Sequence, residues 1–104
     1  MKTIILLSIS ILIAAPLSAR AGDAKTNWDN NCAQCHGKDG GADTQIGKAV
    51  SAKDLTDPKV QAAFTDAKAT QTIKQGMAGM PAFGGKLTDD EIKALVAYVR
   101  SLKK

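Results

Sequence analysis

The chain has one histidine, two cysteines and four aromatic side chains among its 104 residues. Each scarcity removes a class of answer. With so few aromatics and no block of consecutive basic residues, nucleic-acid binding has no support. Two cysteines three positions apart would close only a tiny disulfide loop, which stabilises little. No stretch sustains the period-two alternation of a strand, so the fold expected is all-α. No apolar run approaches the ~20 residues that carry a helix across a membrane. Residues 4–17 (IILLSISILIAAPL) come nearest, and Pro16 interrupts them.

That apolar run has another reading. Lys2 gives it a positive start, and Ala19 and Ala21 place small residues where a signal peptidase reads. This is the layout of a cleaved secretory signal, residues 1–21, ahead of a single domain of residues 22–104. No twin arginine precedes the run and no cysteine closely follows it, so a lipid anchor is not expected. The leader holds Lys2 and Arg20 but none of the ten acids, so its removal lowers the net charge from +4 to +2. The remaining 83 residues are few for a self-sufficient core, and domains of this size are often stapled by a disulfide, metal or cofactor.

Helix signals punctuate the rest. Residues 23–32 can form a helix that puts Trp28 and Cys32 on one face. Residues 37–57 read as a long loop with room for one helical turn. Asp57-Pro58 is an N-cap followed by proline at the first helical position, opening residues 58–64 (PKVQAAF). Thr65-Asp66 opens another helix, with Gly76 as its stop. Residues 77–86 (MAGMPAFGGK) form a Gly/Pro loop. Thr88 to Glu91 is a capping box, with Leu87 placed to staple onto Ile92. Asp89, Asp90 and Glu91 suit the positive end of that helix, and Lys103 and Lys104 its negative end. Ile92, Leu95, Val96, Val99 and Leu102 share one face, for which the Trp28 helix is the natural partner.

The scarce residues are gathered in one place. Cys32-Ala33-Gln34-Cys35-His36 is C-x-x-C-H, the attachment pattern for c-type haem. Each thiol adds across one vinyl group to form a thioether, and one turn of helix brings two thiols to two neighbouring vinyls. His36 then lies under the iron. A thioredoxin-like C-x-x-C would need a βαβ context, and a zinc site a fourth ligand; neither is visible. With no second histidine, the other side of the iron falls to a methionine. Met77 and Met80 are the two that follow the leader, and both sit in the Gly/Pro loop rather than on a helical face. Met80 precedes Pro81, which restricts it to extended backbone and makes it the expected ligand, with Met77 as the alternative. Such His/Met ligation raises the reduction potential.

CAQCH, MPAFGGKLTDDEI and LVAYVRSL together make the chain resemble a small soluble bacterial class I cytochrome c, over most of residues 22–104. The resemblance implies about four short helices around one covalent haem c, with the first and last helices crossing. Trp28, Leu95 and Tyr98 match the residues that pack at this crossing and near the haem edge, and Met80 matches the ligand methionine. MPAFGG resembles the branch that holds the algal and cyanobacterial photosynthetic carriers. Two departures stand out. Ala24 occupies the position of a common glycine at the crossing. The proline that often follows C-x-x-C-H is missing, so the acceptor for the second nitrogen of His36 is expected among the backbone carbonyls of residues 46–48.

The function expected is one-electron transfer by a monomeric periplasmic carrier, not an enzyme, that docks transiently on redox donors and acceptors. A haem subunit fixed in a larger redox enzyme is the alternative. A peroxidase or gas-binding protein would need an open iron site, and no distal histidine is present. The expected docking surface combines residues 37–41 and 78–85, short of bulky charges, with a lysine rim of Lys38, Lys48, Lys74 and Lys86.

Overall fold

The computed structural model describes residues 21–104. Six helical segments follow one another in them: α1 (Ala21–Asn31), α2 (Ala33–His36), α3 (Gln45–Ala49), α4 (Pro58–Ala62), α5 (Asp66–Gln75) and α6 (Asp89–Ser101). The described residues contain no strand, only an isolated bridge between Met77 and Met80. The proposed leader lies outside them, apart from Ala21 at the head of α1.

The all-α expectation holds, with six segments rather than about four. The C-x-x-C-H stretch closes its own turn after Cys32, and the 37–57 loop contains the one-turn α3. Local chemistry sets most of the starts. Thr44, Asp57, Thr65 and Thr88 each accept a backbone N–H inside the helix that follows, from Gly47, Lys59, Lys68 and Glu91. Pro58 stands at the first turn of α4, where its missing N–H costs nothing. That helix ends at Ala62 instead of running to residue 64, because the chain must turn out for Thr65 to cap α5.

The core forms where α1 crosses α6. Trp28, Ile92 and Leu95 are the most completely buried large side chains. Ala24 of α1 is also buried. Tyr98 packs with its ring centroid 5.5 Å from that of Trp28. Leu87 and Ile92 are both buried, as a staple requires. Leu102, at the end of the apolar stripe, is partly buried and packs near Gly40.

The α6 capping box is complete and has an additional donor. Glu91 Oε1 accepts from the Thr88 N–H (3.1 Å), Thr88 Oγ1 accepts from the Glu91 N–H (3.1 Å), and Glu91 Oε2 accepts from Asn27 Nδ2 of α1 (3.0 Å). The Thr88 backbone bond, then the Asn27 amide and the Thr88 side chain, hold the Glu91 carboxyl below its ordinary value. A carboxyl lowered by folding adds stability above its unfolded pKa, about 4.3, and that contribution is lost as pH falls through the lower folded value. Glu91→Gln keeps a capping side chain but does not ionise. The stability difference between wild type and Glu91→Gln should therefore be constant above about pH 5 and shift against the wild type below about pH 4. Thermal melts at stepped pH would read it; parallel curves throughout would remove Glu91 from the acid response.

Candidate functional site

The C-x-x-C-H segment is locked from both sides. Cys32 N–H donates to Trp28 O (2.9 Å), and the His36 N–H to Cys32 O (3.0 Å), so the segment continues helically from α1. The indole N–H of Trp28 donates to Gly37 O (3.1 Å), and the Trp28 and His36 ring centroids lie 5.9 Å apart. On the other side α3 presses against α2. Thr44 Oγ1 donates to Cys35 O (3.0 Å) and accepts from the Gly47 N–H (2.8 Å). A Cβ at Gly47 would collide with the Cys35 carbonyl, so only glycine allows this approach. Burial, with Cys35 close by, pushes the Cys32 thiol up to about 11.

The His36 ring is held by Lys53, not by residues 46–48 as expected. His36 Nδ1 lies 3.0 Å from Lys53 O. The reason is visible in the α3 turn. Ile46 O accepts from Val50 (3.0 Å), Gly47 O from Ala52 (2.9 Å) and Lys48 O from Ser51 (3.4 Å), so all three carbonyls are engaged. A carbonyl can only accept, so Nδ1 carries the proton and Nε2 keeps the free lone pair.

The methionine loop is equally well defined. Met77 and Met80 exchange backbone bonds, N–H to O, at 3.1 and 2.8 Å. Gly79 takes φ +80° in the tight turn between them, and a Cβ there would meet Val50 at 3.2 Å. Phe83 and Gly84 then donate to Ile73 O (2.9 Å) and Lys74 O (3.1 Å), tying the loop to α5. The two methionines differ in setting. Met80 is half-buried against the core, whereas Met77 is 61% exposed.

Cys32, Cys35, His36 and Met80 all line one cavity of about 570 Å³. Its walls are mostly apolar and include Trp28, Leu55, Phe64, Phe83 and Leu95. The volume lies within the usual range for cofactor sites. Two thiols and a histidine with a free Nε2 at one wall, a thioether from another, and apolar sides between them suit a flat macrocycle bearing a metal. Among the described residues no group of three or more His, Cys, Asp or Glu is placed to hold a metal by itself, so the zinc alternative gains nothing.

The expected docking elements divide. Residues 78–81 line the cavity, and Ala78, Gly79 and Pro81 are exposed. Residues 37–41 do not line it; Gly37 and Gly40 are buried, Gly40 beside Leu102. Of the expected lysine rim, Lys48 pairs with Asp43 (2.9 Å) and Lys74 with Asp89 (2.7 Å). Lys53, Lys59 and Lys68 line the cavity instead, and none has an acidic partner among the described residues. Sequence reasoning missed these lysines, Gly47 and the Lys53 carbonyl. A glycine inside a capped turn was the one available hint.

A family model described as cytochrome c oxidase, cbb3-type, subunit III matches residues 19–99. The cbb3-type cytochrome c oxidase subunit CcoP of Azospirillum brasilense is 38% identical over 86 residues, which are 82% of this chain and 29% of that protein. The chain spans less than a third of the length of the oxidase subunits it matches. Cytochrome c6 of Tetradesmus obliquus is 35% identical over 82 residues, covering 79% of this chain and 90% of the relative. The solved structure of KustC0563, a c-type cytochrome, superposes with a TM-score of 0.74 at 36% identity, over 79% of this chain and 99% of that one. The chain belongs to the class I c-type cytochromes, within the family described as cbb3-type oxidase subunit III, and its cofactor is one covalently bound haem c.

Proposed function

We propose that the protein is a one-electron carrier, exported behind the leader of residues 1–21 and working in the periplasm. The observation that carries this reading is the convergence of Cys32, Cys35, His36 and Met80 on one apolar cavity. The bound haem supplies reversible one-electron chemistry at its iron. Cys32 and Cys35 hold it through thioethers. His36, oriented by Lys53 O, offers Nε2 to the metal, and Met80 offers its sulfur from the facing loop. Met77 remains the alternative ligand, its exposure counting against it. With His36 and Met80 both given to its iron, a haem held here would offer no open site to a substrate, which fits a carrier rather than an enzyme. No helix among the described residues is long and apolar enough to cross a membrane.

Electrons enter and leave at the cavity mouth. Ala78, Gly79, Pro81 and the exposed Val50 and Met77 make that mouth small or apolar. Lys53, Lys59 and Lys68 add unpaired positive charge beside it. An acidic redox partner is drawn to such a surface, and a small apolar contact lets it leave. A second reading is a haem domain fixed within a larger oxidase, favoured by the likeness to CcoP and FixP subunits.

One experiment separates them. The purified protein should keep its haem on the polypeptide through acid–acetone extraction, and ferrous protein should bind carbon monoxide only slowly. Stopped-flow exchange with a physiological partner should then be bimolecular and slow moderately with salt, with Lys59→Glu and Lys68→Glu acting on association. Concentration-independent transfer within a co-purifying complex would replace the carrier by the fixed subunit. Extractable haem would remove Cys32 and Cys35 from attachment.

A further inference from the structure

Arg100, near the end of α6, uses its guanidinium unusually fully. Nε donates to Asp66 Oδ1 (2.8 Å), Nη1 to Gln61 O (2.6 Å) and Gln61 Oε1 (3.0 Å), and Nη2 to Phe64 O (2.7 Å). The same group lies 4.3 Å from the centroid of the Phe64 ring. Gln61 extends the network inward. It is 4% exposed, and its Nε2 donates to Leu55 O (2.7 Å) and Val99 O (2.8 Å). Five residues on or between these anchor points, Leu55, Val60, Ala63, Phe64 and Val99, line the cofactor cavity.

We infer that Arg100 and Gln61 are positioning residues for the cofactor, holding the α4 wall closed against α6 and so keeping the haem potential high. The inference rests on the haem reading above and extends it. Helix α4 is one turn long, and the chain leaves it at once for the Thr65 cap. Val60 and Phe64 pack this wall on the core, and the polar strut backs that packing from behind. Buried polar groups in a network stabilise one arrangement when all are satisfied and none when one is lost. Loss of the strut would take from the carbonyls of Leu55, Gln61 and Phe64 the side-chain donors they now have, while Val99 O would keep only the Leu102 N–H. Water would then enter along α4 to satisfy them. Water near the iron favours the more charged ferric state and lowers the potential. The arginine's own charge is partly offset by Asp66, so the effect comes chiefly from the wall.

Potentiometric titration of haem-loaded wild type, Arg100→Lys, Gln61→Leu and the double variant tests this. Arg100→Lys keeps the charge but loses the planar fork. Gln61→Leu keeps Arg100 but cannot donate to Leu55 O and Val99 O. Each single variant should keep the ferric far-red band of methionine ligation. At the wild-type midpoint potential, each should show its reduced-to-oxidised ratio fall at least about threefold, a shift of about 30 mV at 59 mV per tenfold. The double variant should fall by less than the sum, since both act on one wall. Unshifted potentials with a lowered unfolding midpoint would make the network purely structural and overturn the inference. A wild-type potential in Arg100→Lys alongside a lowered one in Arg100→Ala would assign the effect to charge and overturn it too. Should Arg100→Lys fail to fold with haem, Gln61→Leu reads the same wall. A wild-type protein without covalent haem would overturn the functional reading itself, which the variants do not touch.

Discussion

Met80→Ala should abolish the ferric far-red band of methionine ligation, open the iron to carbon monoxide in the ferrous state and lower the potential. Axial ligation spans about 0.8 V across haem proteins, so a fall on the order of 0.1 V or more is expected. The Met77–Met80 turn gives the prediction its contrast. Both residues sit in the same reciprocally bonded turn and line the same cavity, but Met80 packs on the core and Met77 stands 61% exposed. Met77→Ala removes an exposed side chain while leaving the backbone bonds and Gly79 in place. Its band should be intact and its potential close to wild type. Spectra and redox titration of the pair would decide; the reverse pattern would make Met77 the ligand.

Leu95→Ala should cost roughly 2–5 kcal/mol of unfolding free energy in a denaturant titration of the haem-loaded protein. Leu95 is 1% exposed and belongs to the cluster that includes Trp28, Ile92 and Val99, and it also lines the cavity. Its removal leaves a space that the crossing helices cannot close without moving Trp28, which is anchored through its indole N–H to Gly37 O. Leu95→Met, nearly conserving volume, should cost less than about 1.5 kcal/mol. A loss below about 0.5 kcal/mol for the alanine variant, within the range of ordinary surface changes, would show that this face is not the packed one.

How far the sequence discloses this structure depends on the range of each interaction. Asp57, Thr65 and Thr88 cap helices through contacts two or three residues away, so their oxygens and spacing were sufficient signals. Trp28 and Leu95 were legible because helical periodicity marks a face, and two such faces at the chain's ends need each other. The gathering of Cys32, Cys35 and His36 needed no structure. The Lys53 carbonyl was invisible, since every residue carries one and the choice depends on which others the α3 turn has already engaged. The pairing of Lys74 with Asp89 follows from tertiary placement, as does the position of Lys53, Lys59 and Lys68 at the cavity, whereas Lys48 pairs with Asp43 only five residues away. The Arg100 network joins residues 34 to 39 positions apart, and an arginine in a terminal helical turn reads from sequence as a dipole partner.

The crossing of α1 and α6 also bears on when the chain can fold. Asn27 and Glu91, bonded across it, are 64 residues apart. Closing so long a loop must precede the reward of burying Trp28 against Leu95, and such non-local closure slows folding relative to local helix formation. Until residues 92–99 are available, the N-terminal helix has no partner for its buried face. A nascent or partly translocated chain therefore holds only short, marginal helices, too short to persist alone in water. For a protein proposed to cross a membrane before it matures, a core that waits for its last helix keeps the chain threadable until export is nearly complete.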